Sequence, residues 1–363
     1  MTSHSDPLAL FNGSYLGPKP TGIGVVAREL AAVLSPTLVR PLVPPLAEGR
    51  RPLPDDITIP ADLSPAAGHR GHWRRLLWTQ KQLPKLMHEQ QASLLLSPLP
   101  EAPVLQGVRS VVLAHDLLPL RYPQATPLLA YHLAYVPMVL HQATRVLCNS
   151  EATAREVHNR LRVPLHKLVP IRLGFNPRNL YPVDMAREPF LLVLGSHFPH
   201  KNLARVLRAL AVLPDRSLQL RVVGPPDHRY TPKLQRLATE LGIAERCIWQ
   251  RWVSDAERLN LLNRCQALVI ASLWEGFGLP ALEAMACGTP VIASYTGALP
   301  EVVGDVGLLV DPRNTAAISS AMLQASQDKS WIKQARSRGP LRAALFDWKR
   351  TGMQVEQLLL ELS

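Results

Sequence analysis

At 363 residues the chain is long for one hydrophobic core and suits two domains. Its 47% hydrophobic content excludes a disordered chain, and no uninterrupted apolar run reaches bilayer length. The formal charge of +12 sits mostly on the first half: residues 1–180 carry 19 Lys+Arg against 11 Asp+Glu, and residues 181–363 carry 21 against 17. Such an excess points to an anionic partner surface, either acidic lipid headgroups or nucleic acid.

The opening MTSHSDPLAL has neither the basic start nor the long apolar segment of a secretory signal, so a cytoplasmic protein is expected. LALFNGSYLG (8–17) reads as a strand running into a loop, and GIGVVARELAAVL (22–34) has apolar residues at helical spacing. HRGHWRRLLWTQKQLPKLMH (69–88) interleaves basic residues with Trp73 and Trp78. That composition suits a solvated helix face with an apolar underside, or a segment lying on an anionic membrane. ASLLLSP, SVVLAHDLLP and ATRVLCNS are short apolar runs ending in polar or turn residues, as buried strands do. Ser150 then stands as the N-cap of a helix over EATAREVHNRL.

GFNPRNLYPVDMAREP (174–189), rich in Pro, Asn and Gly, reads as the interdomain linker. The second half alternates again: strand FLLVLGS, helix NLARVLRALAVL, strand LQLRVVGPP, and helix PKLQRLATELGI closed by Gly242. CIWQRWVS, DAERLNLLNRC, QALVIASL and TPVIAS continue the pattern, and FDWKRTGMQVEQLLLELS is a final amphipathic helix. The fold class is therefore α/β, with two Rossmann-like doubly wound domains facing across a cleft. The expected boundaries are 1–178 for the N-terminal Rossmann-like domain and 179–345 for the C-terminal one. Residues 346–363 form a helix packing back on the first domain. The cysteines at 148, 247, 265 and 287 are scattered and read as buried free thiols.

The chemistry concentrates in WEGFGLPALEAMACGTPVIAS (274–294). Glu275 follows a strand, Gly276 and Gly278 allow backbone amides to approach a ligand, and Pro280 suits the first position of a helix over about 280–287. The free N–H groups and positive dipole end of that helix form a site for a phosphate. Acids on both sides of it suit a ligand with hydroxyls at both ends and phosphates between them. A nucleotide sugar has that shape.

This string closely resembles the E-x7-E motif of retaining glycosyltransferases in family 4, which have the GT-B fold. VSDAERLNLLNRCQALVIASLWEGFGLP, GALPEVVGDVGLLVDP and LGSHFPHKNLARVLRAL follow the same family pattern; TGIGVVARELA, VVLAHDLLPLRYP and VLCNSEATAREV follow it more loosely. The resemblance implies that Glu275 binds donor-sugar hydroxyls and that Gly276, Phe277, Gly278 and Leu279 line the sugar and diphosphate. It implies that Glu283 binds the ribose, and that Lys201, with Gly195 and Ser196 of the same loop, binds the departing diphosphate. It also implies that Gly22 and Gly24 approach the donor phosphates and that His115 contacts the donor sugar, with Asp116 orienting it or capping the next element. Two positions depart from the family: His200 stands where arginine is usual, and Val25 and Val26 where Arg-Tyr often follows.

The implied reaction is metal-independent transfer of a hexose, mannose or rhamnose, to a saccharide or lipid-linked hydroxyl acceptor in polysaccharide or glycolipid assembly, with retention and no cofactor. The overall likeness leans to a GDP-sugar over a UDP-sugar donor, with an anionic membrane surface as a further partner and no nucleic acid. A nucleotide-sugar epimerase would share the architecture but work without an acceptor. A non-catalytic nucleotide- or anion-binding protein would fit the charge alone.

Overall fold

The computed structural model describes residues 7–17, 22–45, 56–64, 67–124 and 126–363. Most of the stretch read for a secretory signal, and Thr21 of TGIG, lie outside them. The chain divides into two compact units, one running to Gly174 and resuming over Asp347–Ser363, the other Phe175–Phe346.

The first unit holds seven parallel strands: β1 (Ala9–Asn12), β2 (Val39–Val43), β3 (Ile57–Thr58), β4 (Leu94–Ser97), β5 (Ser110–Ala114), β6 (Arg145–Cys148) and β7 (Leu168–Pro170), in the order β3-β2-β1-β4-β5-β6-β7. β1, β4 and β5 are buried along their whole length, which is why ALFN, LLLS and SVVLA read as continuous apolar runs rather than alternating ones. β2 escapes a sequence reading because Pro41 lies inside it. The strand tolerates it since β3 pairs only with Leu42 and Val43, beyond the missing N–H.

Ser150 does cap its helix, its hydroxyl accepting from the Thr153 N–H at 3.0 Å. The last helix, Trp348–Glu361, packs on the helix Gly22–Val33, where a Cβ on Gly352 would come within 2.9 Å of the Val33 side chain. The basic stretch 69–88 forms the helices Gly68–Lys81 and Leu83–Glu89, with Leu83 and Met87 buried and Trp73 and Leu77 exposed. One of its cations is not a surface charge. Arg75 is 3% exposed and grips Glu101, itself 1% exposed, through two bonds of 2.7 and 2.8 Å.

The second unit holds six parallel strands: β8 (Phe190–Leu194), β9 (Gln219–Val223), β10 (Cys247–Gln250), β11 (Ala267–Ile270), β12 (Val291–Ser294) and β13 (Leu308–Val310), in the order β10-β9-β8-β11-β12-β13. Each sheet therefore grows outward in both directions from its first strand, and the direction reverses between β1 and β4 in one and between β8 and β11 in the other. Ligands of doubly wound sheets bind beyond the carboxyl ends of the strands at that reversal.

Residues 175–189 run along this second unit. Asn263 Oδ1 accepts from the Val183 N–H at 2.7 Å, and the Arg187 guanidinium donates to the carbonyls of Leu262, Cys265 and Gly288 at the ends of two helices. All four cysteines are buried free thiols. Among the described residues no helix is long and apolar enough to cross a membrane.

Candidate active site

β8 delivers the chain to Gly195, whose N–H donates to Val223 O at 2.9 Å. The neighbouring strand end approaches so closely that a Cβ on Gly224 would lie 1.9 Å from Gly195 O. Only glycine fits at 224. After the half-buried Ser196 the backbone makes a short turn over Pro199–Lys201, ending at Asn202 with φ +60. The buried Asn202 amide donates to Ala271 O at 2.8 Å and to Pro312 O at 2.6 Å, which fastens the turn to the ends of β11 and β13.

Lys201 consequently passes over Gly195 and meets Glu275. Its ammonium donates to both carboxylate oxygens, at 2.7 and 3.0 Å, and the Ser272 hydroxyl donates to Oε1 at 2.6 Å. The Glu275 backbone is held as firmly: the Ala298 N–H donates to its carbonyl at 3.0 Å, and a Cβ on Gly297 would come within 2.4 Å of that oxygen. So the reversal between β8 and β11 carries a cation and an anion from positions 74 residues apart. Burial pushes the Glu275 carboxyl up, but the Lys201 ammonium and the Lys201 and Ser272 hydrogen bonds outweigh it and hold the pKa below the ordinary value. His200 lies beside this pair. Burial, with the Lys201 charge adding, depresses its pKa to about 4, so it carries no charge at neutral pH and does not replace an arginine electrostatically.

Gly276, Phe277 and Gly278 are buried and Leu279 is half-buried. Phe277 packs edge-on against Phe346, with ring centroids 6.0 Å apart. Gly278, at φ +106 and with Leu299 Cδ2 only 2.6 Å from where a Cβ would stand, turns the chain into the helix Leu279–Ala286. That helix has no side-chain cap, and among the described residues nothing accepts from the Leu279 N–H. Its positive end therefore lies next in sequence to the Lys201–Glu275 pair with an amide to offer. It begins one residue earlier than expected and ends in paired bonds from Gly288 N to Met285 O (3.0 Å) and Thr289 N to Ala284 O (2.8 Å), with Gly288 at φ +65.

Glu283, in the middle of this helix, is nearly buried and accepts from Arg258 Nη1 at 3.0 Å. Burial raises its pKa, and the Arg258 charge offsets this only in part. The pKa values of the two acids of the motif are thus displaced in opposite directions, Glu275 downward by its cation and Glu283 upward by burial.

The remaining expected residues belong to the first unit. His115 follows β5 and is 9% exposed; its Nε2–H donates to Pro98 O at 2.7 Å. Burial lowers its pKa to about 4, so at neutral pH Nδ1 keeps a lone pair and serves as an acceptor. Asp116 accepts from the Leu118 N–H at 3.0 Å, at the first residue of the next short helix. Gly24 is buried at the start of the helix Gly22–Val33, while a Cβ on Gly22 would meet nothing within 4 Å. Sequence reasoning missed Arg258, Ser272 and Asn202. Only Ser272 left a trace, as a hydroxyl three residues before Glu275.

Residues 184–339 match the family described as Glycosyl transferases group 1, and residues 20–179 match Glycosyltransferase Family 4. The chain is 30% identical over 263 residues to the O-antigen chain mannosyltransferase B of Escherichia coli, covering 68% of each. Its fold is that of sucrose-phosphate synthase from Thermosynechococcus elongatus (TM-score 0.75, 22% identity, 99% of both chains) and of Anabaena HepE in complex with UDP (TM-score 0.72, 18% identity, 97% of this chain and 99% of that one). HepE is also solved with UDP and glucose and with UDP-glucose. These structures overturn the expected GDP-sugar preference. That lean came from overall likeness, which reports the sheet and the diphosphate loop shared by both nucleotides and not the base. The chain belongs to glycosyltransferase family 4: it is a GT-B enzyme that transfers a sugar from a nucleoside diphosphate sugar.

Proposed function

We propose that the enzyme transfers a hexose with retention, and without a divalent ion, to a hydroxyl acceptor in polysaccharide or glycolipid assembly. The observation that carries this reading is the Lys201–Glu275–Ser272 cluster at the β8/β11 reversal, beside an uncapped helix start. Lys201 has three N–H donors, and Glu275 takes two of them. The third, with the Leu279 amide and the helix dipole, serves the diphosphate oxygens, where negative charge grows as the glycosidic carbon–oxygen bond breaks. A diphosphate leaves as a stable anion, so no carboxylic acid is needed to protonate it, unlike glycoside hydrolysis.

Glu275, kept anionic by Lys201, accepts from hydroxyls of the donor sugar. Glu283 accepts from the ribose. His115, neutral with its Nε2–H committed to Pro98, offers Nδ1 to another sugar hydroxyl. In this reading the acceptor oxygen attacks from the face the diphosphate leaves, and a phosphate oxygen takes the acceptor's proton. The relative named as a mannosyltransferase supports mannose as the sugar, and the neighbours solved with UDP make UDP-hexoses the first donors to try.

The test is incubation of the purified enzyme with nucleotide hexoses and a hydroxyl acceptor in the presence of EDTA, followed by NMR of the product's anomeric carbon. The expected result is an acceptor-dependent product with the donor's anomeric configuration. An inverted product, loss of transfer on chelation, or donor interconversion without acceptor would each refute part of the reading, the last in favour of an epimerase.

A further inference from the structure

The two oxygens of Glu283 have different surroundings. Oε1 accepts from Arg258 Nη1 at 3.0 Å, whereas Oε2 has no donor among the described residues and is not sealed from solvent. Arg258 comes from the first turn of the helix Asp255–Arg264, whose start is fixed by a reciprocal cap. Ser254 Oγ accepts from the Glu257 N–H at 3.2 Å, and the Glu257 carboxylate accepts from the Ser254 N–H at 2.8 Å. From that rigid base Arg258 Nη2 donates to Asp255 Oδ1 at 3.1 Å, so the guanidinium is braced on its own helix while it reaches across to the next.

Arg258 Nε is buried without an acceptor among the described residues, as are the Nε atoms of Arg40, Arg187, Arg221 and Arg264.

We propose that Arg258 is a positioning residue for donor binding: by holding Oε1 it fixes the Glu283 carboxylate so that Oε2 is presented to a ribose hydroxyl of the nucleotide. The proposal rests on the reading of Glu283 as the ribose acid. A carboxylate held at one oxygen keeps its plane and its charge, and a charged acceptor bonds about twice as strongly as a neutral one. The groups facing Glu283 are Arg258 and Asp255 from the preceding helix and Cys287 from its own. Of these only Arg258 opposes the upward push of burial. Without it the carboxyl takes up a proton at higher pH and is free to turn.

Calorimetric binding of two probes, UDP and 2′,3′-dideoxy-UDP, to the full chain tests this, with Arg258→Met, Arg258→Lys, Glu283→Gln and the double variant R258M/E283Q compared with wild type. R258M is expected to weaken UDP about tenfold and leave the dideoxy probe unchanged, with R258K recovering part of the loss. The double variant should bind UDP no more weakly than E283Q, because one residue acts through the other. The pH at which UDP binding fails on the acid side should move upward in R258M. Equal weakening of both probes by R258M would overturn the proposal by making Arg258 a direct phosphate ligand. Unchanged UDP binding in R258M, alongside weakened binding in E283Q, would overturn it while sparing the ribose assignment. UDP binding unaltered by E283Q would remove that assignment and the proposal together. If R258M lowers the thermal midpoint, R258K with wild-type stability carries the same comparison.

Discussion

The two units each bury an ion pair near the carboxyl ends of their strands, and the pairs differ in how they are closed. Arg75–Glu101 has side chains 4% and 1% exposed. Arg75 also donates to Leu63 O at 3.1 Å and lies 5.1 Å from the centre of the Tyr15 ring, and Tyr131 donates to Glu101. Lys201–Glu275 has side chains 21% and 12% exposed, one ammonium proton uncommitted among the described residues, and an uncapped helix start four residues on in the chain. The same chemistry thus serves two ends. A pair whose donors and acceptors are spent inside the protein holds a fold together; one left open on a side holds charge ready for a ligand.

This contrast can be broken by substitution. Lys201→Met should lower the transfer rate on the order of 10²–10³-fold, as removal of a preorganised charge at a developing anion does. Its thermal midpoint should fall less than that of Arg75→Met, because Glu275 keeps the Ser272 bond and partial access to water. Arg75→Met should do the reverse. It leaves a buried, uncompensated Glu101, a loss of about 3–5 kcal/mol, seen as a fall in the calorimetric transition of the first unit. Rate per folded molecule should change little. If Lys201→Met unfolds the protein as readily as Arg75→Met, the open pair is structural too and the distinction fails.

Much of the frame was legible, because parallel strands buried on both faces leave continuous apolar runs such as LLVL before Gly195 and LVIAS before Glu275. The strands that did not read as such were short or at the sheet margins: β3 has two residues, β7 and β13 three each, and β2 contains Pro41. Lys201, Glu275 and Glu283 were legible as residue types in a spaced motif. Their partners were not. Arg75 was counted among surface cations, and Arg258 sat unremarked in DAERLNLLNRC, since the burial that makes a charge matter arises when distant helices pack. Nor does the loop reveal the base, as the GDP expectation illustrates. Glycines 276 and 278 bind the backbone to shapes any diphosphate nucleotide can use.

Smaller effects are expected from the buried histidines. Burial depresses His115 in the first unit to about 4, against an ordinary 6.5. A group with a depressed native pKa binds fewer protons folded than unfolded. The stability it contributes is complete above about pH 6.5 and is lost as pH falls toward about 4. The unfolding free energy from urea titration should therefore decline between pH 7 and pH 5, by at most roughly 2 kcal/mol from this residue. His115→Gln keeps an N–H for Pro98 O but cannot titrate, so it should flatten that slope while leaving the response of His200 in the second unit in place. Transfer by the wild type should, by the same reasoning, show no loss attributable to His115 until the pH approaches 4. A wild-type slope equal to that of His115→Gln would mean that the ring is hydrated in solution and does not offer the fixed Nδ1 acceptor on which its sugar contact depends.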